Sequence, residues 1–77
     1  MSNLDQEHPF SAYLRREKIS FSKASAAIGR SQSCVSRWIR GEREPSALDQ
    51  ERIAAFTNGE VSVAVWHAQA LAKVAAE

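Results

Sequence analysis

Gln32, Ser33, Ser36 and Arg37 are side chains of the types that read the edges of nucleic-acid bases. A Gln amide bonds adenine in bidentate fashion, an Arg guanidinium does the same with guanine, and small serines permit close approach to either. Wound on a helix from Gln32, these four and Arg40 share one arc of about 140°. Cys34, Val35, Trp38 and Ile39 fall on the opposite side, so the segment Gln32 to Arg40 divides into a polar half free to bond and an apolar half free to pack. The polar half carries no acid, whereas a merely solvated helix more often alternates Glu with Lys. The chemistry on offer is recognition of double-stranded DNA in its major groove.

No other constellation competes with it. The single cysteine, Cys34, has no partner for an internal disulfide, and with only His8 and His67 to join it the chain lacks the ligands of a structural zinc site, so no metal or cofactor is expected. Cys34 reads as a buried small hydrophobe, with a redox switch the lesser alternative. The two histidines are far from it in sequence, no Asp or Asn is placed to orient a dyad, and both read as surface residues; nothing supports an enzyme or a small-molecule substrate. Trp38, opposite the polar arc, belongs to the core with Val35.

Charge points the same way. The formal net charge is only +1, but residues 1–14 sum to −2, residues 15–43 to +6 and residues 44–77 to −3. No acid lies between Glu17 and Glu42, the footprint expected where a polyanion must approach. Lys23, Arg30, Ser31, Arg40 and Arg43 are the candidates for flanking phosphates; the plainer reading of Arg30, Arg40 and Arg43 is that they only solubilise the turn and loop.

A chain of 77 residues supports one domain with one modest core. No apolar run approaches the roughly 20 residues of a membrane span. Met1–Glu7 has neither the apolar core of a signal peptide nor the basic character of a targeting segment, which suggests the cytoplasm. The elements that must position the polar arc follow from caps and periodicity. Pro9 starts a first helix, about 9–17, with Phe10, Tyr13 and Leu14 on one face. Ser20 caps a second, about 21–28, that stops at Gly29. About three residues then separate it from the helix that Gly41 ends, which is a tight helix-turn-helix. Pro45 enforces a loop, and Ser46 with Asp49 caps a fourth helix, about 47–57, with Leu48, Ile53 and Phe56 as its apolar stripe. Residues 61–65 alternate like a strand, yet Ser62 can equally cap a helix in which Val63, Trp66, Ala70 and Val74 share a face. Alanine-rich composition from Ala64 to Ala76 favours the helix.

The run Ala27-Ile28-Gly29, Ser31-Gln32-Ser33, Val35-Ser36-Arg37-Trp38, Arg40-Gly41 and Glu44-Pro45-Ser46 resembles the helix-turn-helix of phage Cro and lambda-type repressors, the Cro/CI superfamily. The resemblance implies an all-α, compact five-helix bundle. It implies that Gln32, Ser33, Ser36 and Arg37 read bases, and that the start of the second helix, Ser20 and Phe21, approaches phosphate through backbone N–H groups. The family usually has Gln where this chain has Phe21, and many relatives have Glu where it has Ile39. The tail from Ile53 to Trp66 also resembles small Cro-like regulators and antitoxins.

Two functions follow as expectations. The first is a bacterial or phage transcription regulator, a repressor that binds a pseudo-palindromic operator as a homodimer. Its dimer contacts would come from Val63, Trp66, Leu71 and Val74, because the last helix carries more apolar surface than so small a core needs. The alternative is an antitoxin whose C-terminal helix covers a partner protein.

Overall fold

The computed structural model describes residues 7–76, with side chains as far as Val74; the expectation placed on the N-terminal stretch lies, apart from Glu7, outside the described residues. Five helices follow one another: α1 (Pro9–Glu17), α2 (Phe21–Ile28), α3 (Gln32–Arg40), α4 (Ala47–Phe56) and α5 (Val63–Ala76). No strand occurs among the described residues, and 61–65 is not one: Val61 precedes the helix, and Val63 starts it. Both Val61 and Trp66 are buried, a spacing that a strand of alternating faces does not give but a turn followed by a helix does. No described helix is long and apolar enough to cross a membrane.

Each of the first four helices starts where a side chain can take an orphan N–H group of its first turn. Ser20, Ser31 and Ser46 do so for α2, α3 and α4, their hydroxyls accepting from the backbone N–H groups of Lys23, Cys34 and Asp49. α1 uses His8, whose Nδ1 accepts from the Phe10 N–H at 3.0 Å. The turn between α2 and α3 depends on Gly29, which takes a left-handed conformation at φ 87° and returns its N–H to the Ser25 carbonyl.

The core draws on every helix: Phe10 and Leu14 from α1, Ala24 and Ile28 from α2, Val35 and Trp38 from α3, Ile53 from α4 and Trp66 from α5, with Val61 from the last loop. Tyr13, Ile19, Phe21, Cys34, Ile39, Phe56 and Val65 pack around it. Leu48 departs from expectation. It is 55% exposed, because the face of α4 that turns inward carries Asp49, Gln50 and Ile53 instead. Asp49 there accepts both from Ser46 Oγ and from Arg30 Nε, which ties the helix-turn-helix to α4. Buried Thr57 joins α4 to the last loop: its hydroxyl donates to the Ile53 carbonyl at 2.8 Å and accepts from the Val61 N–H at 3.0 Å.

α5 is two helices in one as regards packing. Its first half carries Trp66, 1% exposed, flanked by the His8 ring at a centroid distance of 4.7 Å and by Phe10 edge-on at 6.4 Å. Its second half carries Leu71 and Val74, 70% and 69% exposed. Trp66 therefore does not belong to a surface for a second chain; it fills the centre of the monomer, where truncation to Ala would cost about 3–5 kcal/mol. Val63 is half-buried, and of the four residues expected at a dimer contact only Leu71 and Val74 are fully presented to solvent.

Candidate nucleic-acid interface

α3 turns Val35 and Trp38 into the core and leaves Gln32, Ser33 and Arg37 exposed, with Ser36 half-buried beside them. The division of the helix expected from its sequence is thus the division found. Gln32, Ser33, Ser36, Arg37 and Arg40 line one open concavity of about 340 Å³, and its sixth wall is Phe21, the first residue of α2. The two helices that the Gly29 turn holds together therefore share the site.

Among the described residues, the side chains of Gln32, Ser33 and Arg37 make no hydrogen bond, so their donors and acceptors are unspent. Ser36 and Arg40 are not in that position. Arg40 Nη1 donates to Ser36 Oγ at 3.0 Å, and its Nε donates to Glu42 at 2.8 Å. The Arg40 guanidinium, with a further contribution from Arg37, holds the Glu42 carboxyl below the usual carboxylate range, so Glu42 is ionised at neutral pH and sets a negative charge beside Arg40. Ser36 keeps its own O–H to donate.

The cationic residues expected at phosphates divide into three groups. Arg40 lines the concavity together with the polar residues of α3. Lys23 is exposed on the first turn of α2, where Ser20 Oγ has taken the Lys23 N–H and the N–H groups of Phe21 and Ser22 have no partner among the described residues. Ser31 plays the equivalent capping part on α3. Arg30 and Arg43 are not part of the concavity: they lie with Cys34, Trp38, Glu44, Ser46 and Asp49 in a second hollow on the other flank of α3. Arg30 spends its Nε on both oxygens of the Asp49 carboxylate at 3.1 Å, a structural link that its position in the sequence did not disclose.

Further residues hold α3 at its far end. Gly41 takes a left-handed conformation at φ 77° and closes the helix onto the Arg37 and Trp38 carbonyls. α5 then docks on this end: Gln69 Nε2 donates to the Trp38 carbonyl at 3.1 Å, and Lys73 Nζ to the Gly41 carbonyl at 3.0 Å. A Cβ on Gly41 would stand 3.3 Å from Gln69 Nε2, so a side chain there would press on this contact as well as strain the backbone. His8 extends the chain of bonds, its Nε2 lying 2.9 Å from Gln69 Oε1. His8 is therefore half-buried and bonded on both ring nitrogens, where the sequence predicts a surface histidine. Its burial pushes the imidazole below its ordinary pKa, against a smaller opposite effect of Gln69. Polar residues at Gln69 and Lys73 in an alanine-rich helix were the only sequence signal of this arrangement.

Cys34 packs against the core but is only half-buried, where the sequence predicts a buried small hydrophobe, and it lines the hollow that holds Arg30 and Arg43. Among the described residues no group of three His, Cys, Asp or Glu side chains is placed to hold a metal ion. Comparison with protein-family models, with curated proteins and with solved structures gives no match.

Proposed function

We propose that the protein is a cytoplasmic, sequence-specific DNA-binding regulator of transcription, a repressor of the Cro/CI type that sets α3 into the major groove of an operator half-site. The observation that carries this reading is the acid-free polar face of α3, on which Gln32, Ser33 and Arg37 stand exposed with their hydrogen-bonding groups unspent. Other exposed charges of the chain are paired with one another, as Arg15 and Arg16 are with Glu7 and Glu60. The basic segment 15–43 supplies the long-range attraction, and the N-terminus of α2 the phosphate contact that orients the helix.

A helix of nine residues covers few base pairs, so useful specificity calls for a second copy on a symmetry-related half-site. Among the described residues, Leu71 and Val74 are the large apolar side chains of α5 that the monomer leaves exposed, and a second copy of the same chain is their proposed occupant. If they serve a different protein instead, as in an antitoxin, the chain alone stays monomeric.

Selection of bound duplexes from random sequence, followed by gel shift, tests the reading. Wild type should enrich a two-fold related site. Gln32→Ala and Arg37→Ala should each lose about 1–3 kcal/mol of preference for the selected base over its alternatives while keeping non-specific binding. No enriched sequence, or full preference in both variants, would overturn the assignment.

A further inference from the structure

Of the six residues around the concavity, five offer hydrogen bonds and one offers none. Phe21 is half-buried: it packs against the core cluster and contributes the remaining wall beside Gln32, Ser33, Ser36, Arg37 and Arg40. Packing against the core restrains the ring, so little conformational freedom is left to lose on contact. Whatever occupies the concavity meets donors and acceptors on five sides and an aromatic surface on the sixth.

The major groove presents donors and acceptors on every base pair but only one kind of apolar group, the 5-methyl of thymine. We propose that Phe21 is a specificity-determining residue that reads a thymine 5-methyl group next to the base edges bonded from α3, an inference that rests on reading this face as a major-groove surface. The alternative contact for an aromatic at the lip of a groove, the deoxyribose of the backbone, is present at every position and would carry no sequence preference. Phe21 lines the same concavity as Gln32, Ser33, Ser36 and Arg37, the proposed base readers, which favours the methyl group. Gln32 and Phe21 then act as a pair from two helices, one satisfying a polar edge and the other an apolar projection of the neighbouring pair.

The experiment changes the DNA first and the protein second. In the duplexes selected by wild type, each thymine is replaced in turn by uracil, which keeps the pairing and the O4 acceptor and lacks only the methyl. One position in each half-site should weaken by about fourfold, the factor corresponding to one buried methyl. In Phe21→Ala the same replacement should have no effect. Phe21→Leu, which keeps an apolar side chain against the core and loses the reach of the ring, provides the same comparison should the alanine variant fold poorly, and should show a reduced penalty. The inference is overturned if no thymine shows the penalty in wild type, or if the penalty is undiminished in both variants. A selection that enriches nothing would remove the DNA-binding reading itself, and this inference with it.

Discussion

At the scale of single residues, His8 sits at a junction of three helices. Its Nδ1 accepts the Phe10 N–H, so in the neutral ring the proton is on Nε2, which donates to Gln69 Oε1; Gln69 in turn donates to the Trp38 carbonyl at the end of α3. A proton on Nδ1 would set a donor against a donor and undo the cap of α1. Burial already lowers the pKa of this imidazole from its ordinary value of about 6.5. The folded state therefore binds fewer protons than the unfolded one near that pH. The stability His8 contributes is present above about pH 6.5 and is lost as pH falls through that value toward the lower folded pKa. No carboxylate faces the ring among the bonds it makes, and Glu7, Glu42 and Glu60, held low by Arg15, Arg40 and Arg16, titrate below this window. Thermal denaturation followed by circular dichroism should show the midpoint of wild type falling between pH 7.5 and pH 5. His8→Asn retains a capping oxygen without the titration, and should be much flatter over the same range. Equal losses in the two proteins would show that His8 is not the group responsible.

At the scale of elements, α5 does two jobs with two halves, and this decides how its role can be tested. Removing its second half altogether would also remove Lys73, which holds the end of α3, and so would confuse any dimer contact with support of α3. Leu71→Glu combined with Val74→Glu avoids this. Both sites are well exposed, so the monomer should keep its stability to within about 1 kcal/mol. Sedimentation at tens of micromolar should find wild type dimeric and the double variant monomeric, and the variant should bind a single half-site as wild type does but lose affinity for the full operator. A wild type that is monomeric both free and on DNA would dismiss the second copy. The same helix shows what could be read in the sequence and what could not. The start of α1, the bounds of α2 and the end of α3 follow from local chemistry: Pro9 at the start of α1, Ser20 as a cap, Gly29 and Gly41 as stops. The polar arc of α3 was legible for the same reason, since a face is a property of one helix. The start of α5 was not, because Val61 to Val65 satisfy two periodicities and only the burial of both Val61 and Trp66 chooses between them. Nor were the pairings of Arg30 with Asp49, or of His8 with Gln69 across 61 residues of sequence, which depend on how helices pack and leave no periodic trace.

At the scale of the whole molecule, the protein carries one basic region between two acidic ones, and the salt dependence of DNA affinity should report how much of that charge is free to act. Each phosphate neutralised by a free cation contributes a slope of about −0.9 to log K against log salt. Lys23 is exposed and makes no side-chain bond among the described residues, so it should contribute in full. Arg40 should not. It begins bonded to Glu42 at 2.8 Å, and a phosphate that takes it over leaves an ionised carboxylate to regain a solution cation, so the net release of counterions is close to nil. If α3 meets DNA as proposed, Glu42 should therefore act as a charge brake beside it. Glu42→Gln removes the carboxylate while keeping a side chain of the same size, and should tighten binding at low salt and steepen the slope by about 1 per protomer, about 2 for a dimer. Because Glu42 lies outside the concavity formed with Phe21, sequence preference should be unchanged. Fluorescence anisotropy titrations of a selected duplex over a range of salt concentrations would measure both quantities, with Lys23→Ala, expected to flatten the slope by the same amount, as the opposite control. If Glu42→Gln leaves the slope of wild type unaltered while Lys23→Ala flattens it, Arg40 does not meet phosphate, and the cationic contacts of this face lie at α2 alone.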